Sequence, residues 1–342
     1  MSTPVILAID GNSLVHRSYH AQARTGLHDL RGRPTWAVRG LLMQLVAAVE
    51  RIRPSAVVIG FDDPGTSTRR DRWPSYKAHR VDKLDSLVEQ LICAAEALRE
   101  LGLHVVVPAG LEADDVLAST AAHARTIGAT TVVVTSDRDA FALIDDTTTV
   151  LRIINGGVDA SPMMTAERLV LLLGIRPEQY RDFAALRGDP SDNLPGVRGI
   201  GPRTAARLLQ EFGTASAAFD DLAGVRARLG SAVAKRLAEP RARAAWELNC
   251  QVMAMHADVP VRPGPLPLEA ERVDAVFRAQ QLVWTVNEAL CVLAHAEPTR
   301  ATPTTHAPLP GWIDPEPGGG YQRPRFPKLP PRPVSAQLTL FD

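Results

Sequence analysis

Eight carboxylates in this chain fall into four short groups, and each group follows a run of β-branched residues. Asp10 ends the run 5–9, and Asp62 and Asp63 follow 56–59. Glu112, Asp114 and Asp115 open a helical stretch after 104–107, and Asp137 and Asp139 follow 131–135. Taken singly, an aspartate after a strand is a common turn residue, and acids in the first turn of a helix complement its dipole. Capping alone does not call for a Glu-x-Asp-Asp together with acids after three other strands. In an open parallel sheet the strand C-termini share one edge, where ligands bind. Four separate segments would therefore deliver carboxylates to one place. Such a group repels itself unless hard divalent cations neutralise it, and all-oxygen donors suit Mg²⁺ or Mn²⁺.

A second candidate lies at residues 188–207, Gly-Asp-Pro-Ser-Asp-Asn-Leu-Pro-Gly-Val-Arg-Gly-Ile-Gly-Pro-Arg-Thr-Ala-Ala-Arg. It is not a dinucleotide fingerprint, because no strand precedes it and Thr204 holds the third glycine position. It reads as a helix–hairpin–helix. Gly196, Gly199 and Gly201 let the backbone approach a phosphate, amides at the start of the next helix (Thr204 among them) bind it, and Arg198 and Arg203 add charge. Binding of this kind ignores base identity. There is no Walker A sequence, which argues against NTP hydrolysis.

The elements that must position these groups follow from periodicity. Strands are expected at 5–9, 56–59, 104–107, 131–135 and 150–154, with helices at 36–52, 84–101 and 113–127 between them. Near-continuous apolar runs suit strands buried on both faces, so residues 1–160 read as an α/β core with a mostly parallel sheet. Residues 161–295 read as all-α, with helices at 164–173, 177–186, 204–212, 225–238, 241–256, 269–281 and 283–294. Prolines recur through 296–336, which is expected to be a disordered linker, and residues 337–342 form a short apolar-containing tail.

The 342 residues are 45% apolar and 22% charged, enough for one large globular domain or two smaller ones. No run approaches the roughly 18 apolar residues of a membrane span. The first strand is too short and too soon acidic for a signal peptide. Three scattered cysteines fit a reducing cytoplasm better than a disulfide framework or a zinc knuckle. The 38 basic and 38 acidic residues cancel, so bulk charge does not announce a nucleic-acid partner. The basic residues are nonetheless segregated (Arg69, Arg70, Arg72, Lys77, Arg80; then Arg198, Arg203, Arg207), and with only four lysines arginine supplies most of the charge. Its planar fork suits phosphate, although a genomic bias would leave the same composition.

Several blocks in order resemble the 5′-nuclease family, the flap endonucleases and the 5′→3′ exonuclease domain of bacterial type-I DNA polymerases. They are Ala8-Ile9-Asp10-Gly11, Gly60-Phe61-Asp62, Ser75-Tyr76-Lys77-Ala78-His79-Arg80, Glu112-Ala113-Asp114-Asp115, Thr135-Ser136-Asp137-Arg138-Asp139 and Gly188-Asp189-Pro190-Ser191-Asp192-Asn193-Leu194-Pro195-Gly196. The likeness spans about residues 4–295, and the chain is expected to be a freestanding member. It implies a PIN-like α/β core beside an H3TH helix–hairpin–helix module, and metal-dependent phosphodiester hydrolysis leaving a 5′-phosphate.

The implied metal-binding acids are Asp10, Asp62, Glu112, Asp114, Asp115, Asp137, Asp139 and Asp192, with Asp189 near enough to share the second site. One ion would lower the pKa of a bound water and another would stabilise the leaving oxygen. The catalytic set adds Lys77 and Arg80, three apart and so expected on one helical face, to Asp115 and Asp137. Arg69 and Arg17 match further DNA-binding arginines. His16 replaces a tyrosine thought to stack on a base, a role that Tyr19, Tyr76 or His16 itself would have to fill. Trp73-Pro74-Ser75 replaces a glycine-rich stretch, which predicts a stiffer arch. The family also suggests K⁺ in the Gly196–Gly201 hairpin.

Gln337-Leu338-Thr339-Leu340-Phe341 resembles the bacterial sliding-clamp motif. Leu338, Leu340 and Phe341 would supply apolar contacts and Gln337 a hydrogen bond at the pocket rim. About 40 flexible linker residues reach roughly 35 Å. The implied role is 5′-flap and 5′-end processing of DNA in replication, Okazaki-fragment maturation and repair, in the nucleoid-associated cytoplasm. Two other classes compete: a silent DNA-structure binder, which would tolerate loss of the acids, and a PIN-type ribonuclease, which would lack the hairpin.

Overall fold

The structure, a computed structural model of the chain, describes residues 3–80 and 83–297. The proline-rich stretch from 298 and the tail motif at 337–342 lie outside them.

The first strand, β1 (Val5–Asp10), is apolar until its last residue and runs through the middle of the sheet. Helix α1 (Gly11–Gln22) follows at once, because Asp10 caps it by accepting the Ser13 amide at 2.8 Å. Then come α2 (Trp36–Ile52), β2 (Ala56–Gly60), α3 (Thr68–Arg72), α4 (Asp85–Glu100), β3 (His104–Val106), α5 (Ala113–Thr126), β4 (Thr130–Thr135), β5 (Thr148–Arg152), the single turn α6 (Gly157–Ala160) and β6 (Met163–Met164). The sheet order is β3-β2-β1-β4-β5-β6, parallel from β3 to β5, with β6 antiparallel at the edge. Chain order reverses between β1 and β4, and this switch point is where a doubly wound sheet opens a crevice. The register pairs Asp10 with Gly60 and Ile9 with Val134. The loops carrying Asp62 and Asp137 therefore leave the sheet at the same level as Asp10.

The second half is helical: α7 (Ala166–Leu173), α8 (Tyr180–Arg187), α9 (Pro202–Phe212), α10 (Ala215–Asp220), α11 (Leu222–Leu229), α12 (Ser231–Leu237) and α13 (Ala242–Val252). Between α8 and α9, β7 (Gly188–Asp189) and β8 (Leu194–Pro195) form a two-residue antiparallel ladder. Gly188 lies at φ 78°, and a Cβ there would run into the Gly196 backbone, so both glycines serve this close crossing. The stretch expected as one helix at 225–238 is two, broken by Gly230 at φ 95°.

The chain then returns to the sheet. In β9 (Gly264–Pro265) the backbone pairs antiparallel with β2. The sequence pattern places the last two helices, α14 (Ala270–Ala279) and α15 (Val286–Ala294), in the helical half. They bury Val273, Phe277, Leu290 and Leu293 with α2 and β1 instead. On the opposite sheet face, Ala8, Val133 and Val150 share a core with Tyr180, Phe183, Ile200 and Leu208. Each large apolar side chain buried there contributes about 1.5–3 kcal/mol. This core fixes the hairpin relative to the sheet edge. Among the described residues no helix is long and apolar enough to cross a membrane.

Candidate active site

Asp10 is 5% exposed. Its second oxygen accepts the Thr135 hydroxyl at 2.7 Å. Burial, together with the charges of Asp62 and Asp137, pushes its pKa up to about 7 against its two hydrogen bonds. Asp62 accepts Asn12 Nδ2 at 2.6 Å and the Ala113 amide at the start of α5 at 3.0 Å. Its neighbour Asp63 plays another part. It accepts the Thr66 hydroxyl and the Gly110 and Gly65 amides, which close a turn and bring it down to about 2.

Glu112, Asp114, Asp139 and Asp192 line one cavity with Arg69, Tyr76 and Leu194. Burial raises Asp114 well above the ordinary carboxylate range, and the charges of Asp137, Asp10 and Glu112 raise it further. Asp139 is pushed up to about 8 by burial and by Asp137, Asp189 and Asp192. Burial also raises Asp192, against the pull of Lys77 and Arg80. Asp137 lies outermost and accepts the Asp139 amide at 2.9 Å. Asp189 accepts the amide and hydroxyl of Ser191, which shapes the turn that presents Asp192.

Carboxylates from β1, β2, α5, β4 and the 188–192 turn therefore feel one another's charge. Among the described residues no three acid, histidine or cysteine side chains form a closed ligand cage. The donor set nonetheless fits a hard divalent cation. All its donors are oxygens, and the buried Asp139 Oδ1 has no hydrogen-bond partner, an orphaned acceptor of the kind such an ion satisfies.

Lys77 reaches into this group. Its ammonium donates to Glu112 Oε1 at 2.9 Å and lies 4.6 Å from the Tyr76 ring centre. Burial would lower its pKa, but the charges of Glu112 and Asp192 outweigh that and raise it. Arg80 pairs with Asp192 at 2.5 Å. The helical-face argument for this pair does not hold, since residues 74–79 form turns and Lys77 sits at φ 54°. What fixes them is the 190–193 turn: the Lys77 amide donates to Asp192 O, Asn193 Nδ2 to Ser75 O, and Arg80 Nε to Ser191 O.

Two expected site residues prove to be internal. Asp115 is fully buried, and its oxygens accept both Arg69 Nη atoms (2.8 and 2.7 Å), the Glu112 amide and the His256 amide. That leaves Asp115 no open face for an ion or a catalytic role. Arg69, 6% exposed, also donates to Glu112 Oε2, Val252 O and Ala254 O, so it is not a free contact for DNA.

Tyr76, whose hydroxyl donates to Glu112, and Tyr19, bonded to Ser86, are both buried and cannot stack on a base. His16 stays partly exposed. Burial, then Lys83, His20 and Arg80, lower it to about 4, leaving a neutral ring. Arg17 donates to Asn155 at 2.8 Å near the sheet edge.

In the hairpin, Val197 and Ile200 are buried while Arg198, Gly199, Gly201 and Arg203 face outward and Thr204 is half-buried. Gly196 serves the β7–β8 crossing rather than an outward contact. Three hairpin carbonyls already accept N–H donors: Val197 from Ile200, Gly201 from Ala205, and Arg198 from Arg236 Nη1 at 3.4 Å. A potassium ion fits this turn poorly, since a cationic group is already seated there.

Pattern reading missed the groups that hold the acids. Asn12 donates to Asp62 and Thr135 to Asp10, while the Ser13 and Ser136 hydroxyls bond each other (2.5 Å) and tie the Asp10 and Asp137 loops together. All four are polar residues directly beside the acidic blocks, the one signal that could have drawn notice. Arg187, whose charge partly opposes the rise of Asp139, follows the last apolar residue of α8.

Residues 5–170 match the 5′-3′ exonuclease N-terminal, resolvase-like domain, and residues 175–275 match the 5′-3′ exonuclease C-terminal SAM fold. DNA polymerase I of Mycobacterium tuberculosis is 38% identical over 69% of this chain and 26% of the relative. DNA polymerase I of Chloroflexus aurantiacus is 32% identical over 82% of this chain and 29% of the relative. The chain thus spans about a quarter of the length of the curated relatives it matches. T5 5′-exonuclease, solved with zinc, superposes with a TM-score of 0.59 at 16% identity, covering 82% of this chain and 99% of that one. The catalytic core of Rad2 with DNA gives 0.54 at 15%, covering 85% and 92%. At such identities the likeness concerns the fold.

Proposed function

Because the chain belongs to the 5′-3′ exonuclease family, we propose that it is a divalent-metal-dependent 5′ nuclease that cuts DNA at 5′ flaps and 5′ ends. The observation that carries this is the cavity where Glu112, Asp114, Asp139 and Asp192 meet beside Lys77. In the reaction a water oxygen bonds to phosphorus while the P–O3′ bond breaks in line. The 3′-oxygen leaves and takes up a proton, and the phosphate stays on the 5′ end of the product. Asp10, Asp62, Glu112, Asp114, Asp137, Asp139, Asp189 and Asp192 would hold two or more Mg²⁺ or Mn²⁺ ions. Bound there, such ions would make water a better nucleophile and offset the charge of the leaving oxygen.

The chain's own residues supply the rest. Lys77, held by Glu112, places a fixed positive charge beside the carboxylates, where a phosphate acquiring negative charge needs one. Arg80 steadies Asp192 and keeps its exposed side toward solvent. Arg198, Arg203 and the amides opening α9 would grip the backbone of the duplex behind the cut. Relatives named as DNA polymerase I, and a Rad2 core solved with DNA, support a DNA substrate.

The same reading places the protein at the nucleoid in lagging-strand maturation and repair, tethered to a sliding clamp by Gln337, Leu338, Leu340 and Phe341. End-labelled flap, nicked and blunt DNA should be incubated with Mg²⁺, Mn²⁺ or EDTA. Flap products that appear with either metal and vanish with EDTA support the proposal, and an intact flap under every condition overturns it.

A further inference from the structure

Helix α12 contributes a group to the hairpin that no sequence block identifies. Gly199 stands at the exposed tip of the hairpin at φ 75°, and a Cβ there would land on the Arg236 guanidinium. The planar group lies on the glycine where a side chain would be, and its Nη1 reaches the Arg198 carbonyl at 3.4 Å. Buried Val197 and Ile200 anchor the hairpin on either side, so the tip is a rigid seat. Arg236 comes from 37 residues further along, in the last turn of a different helix.

Its charge is not neutralised locally. Arg228, on the neighbouring helix, faces Glu211 at 3.7 Å and the Phe212 ring, and Arg243 pairs with Asp220 and Glu247. No carboxylate lies within ion-pair distance of Arg236 among the described residues, and it is exposed. A guanidinium seated on an exposed turn, with its charge open, matches a phosphate oxygen. Arg198 and Arg203 flank the same tip.

We propose that Arg236 is a phosphate-contacting residue of the hairpin, supplying from the chain itself the cation that draws a duplex phosphate onto Gly199–Gly201. The positive φ and missing Cβ of Gly199 are then requirements for seating that guanidinium, as well as for the turn. A built-in cation makes binding indifferent to potassium. The inference rests on the reading of the protein as a DNA nuclease.

The test is equilibrium binding of a fluorescent 5′-flap duplex to the full-length protein, with Ca²⁺ in place of Mg²⁺, over a series of salt concentrations. One lost phosphate contact lowers the slope of log K against log salt by about 0.9. Arg236→Gln should show that drop and a several-fold weaker Kd, whereas Arg236→Lys should keep the slope. Gly199→Ala, which unseats the guanidinium without removing charge, should also weaken binding, and native affinity should be equal in K⁺ and Na⁺. Native slope and affinity in a folded Arg236→Gln protein would overturn the proposal, as would native binding that requires K⁺. Failure of the native protein to bind the flap at all would sink the nuclease reading instead.

Discussion

Arg69 and Asp115 are locked in a bidentate pair at 2.8 and 2.7 Å, with side chains 7% and 0% exposed. Burial alone would raise Asp115, and the guanidinium outweighs it and holds the carboxyl below its ordinary value. The pair ties α3 to the first turn of α5 and, through Val252 O, Ala254 O and the His256 amide, to the segment after α13. Its product is the position of Glu112, which Arg69 also touches.

Arg69→Gln should therefore act first on stability. Removing one partner leaves a buried carboxylate without its counter-charge, at a cost of about 3–5 kcal/mol. Guanidinium unfolding at pH 7 measures it. A loss under about 1 kcal/mol would show that the pair is not holding these segments together.

Lys77 differs because its ammonium faces the carboxylate cavity. Lys77→Ala should lower kcat by about 10²–10³-fold, the range for removing one preorganised electrostatic donor, with a much smaller change in DNA affinity. Single-turnover cleavage and anisotropy on the same flap separate the two. Equal losses in rate and affinity would make Lys77 a binding residue only.

Asp137 is the outermost acid, exposed where the other carboxylates of the group are buried or half-buried. Asp137→Ala should leave the fold and DNA binding intact and abolish cutting with either Mg²⁺ or Mn²⁺. Cleavage within about tenfold of native would exclude Asp137 from the reacting centre.

The acidic blocks were legible because strand ends are easy to place: β1, β2 and β4 lie within a residue of the expected spans, and α2 matches its span. Helix α1 went unseen because only Gly11, Leu14, Val15, Ser18 and Tyr19 of its polar sequence are buried, too sparse a stripe to stand out. The burial of Arg69 was not legible either. Its partners lie 43, 46, 183 and 185 positions away, and no local pattern separates a buried arginine from a solvated one. The spacing of Lys77 and Arg80 predicts a shared helical face, but a left-handed residue and a turn docked on 190–193 bring them together instead.

The tail motif yields a prediction separable from catalysis. Deleting residues 337–342 should abolish capture of a bacterial sliding clamp while flap cleavage without clamp keeps its native rate. A truncated protein that still binds the clamp would refute the assignment.

The raised carboxylates make stability depend on pH with a definite sign. Asp10 and Asp139 move from an ordinary 3.8 to about 7 and about 8. Between pH 4 and 8 the folded metal-free protein keeps protons that the unfolded chain has lost. Stability from these groups is full below about pH 4, declines as pH rises, and is gone above about pH 8. Divalent cations held by these acids should reverse the trend, because they would compete with those protons and bind more tightly as pH rises. In EDTA, Tm should fall from pH 5 to pH 8, and Mn²⁺ should raise it more at pH 8 than at pH 5. Asp139→Asn imitates the protonated acid, so it should flatten the metal-free slope and shrink the Mn²⁺ effect. Superimposable native and Asp139→Asn curves, with and without Mn²⁺, would mean that these carboxylates neither hold the protons nor bind the ion.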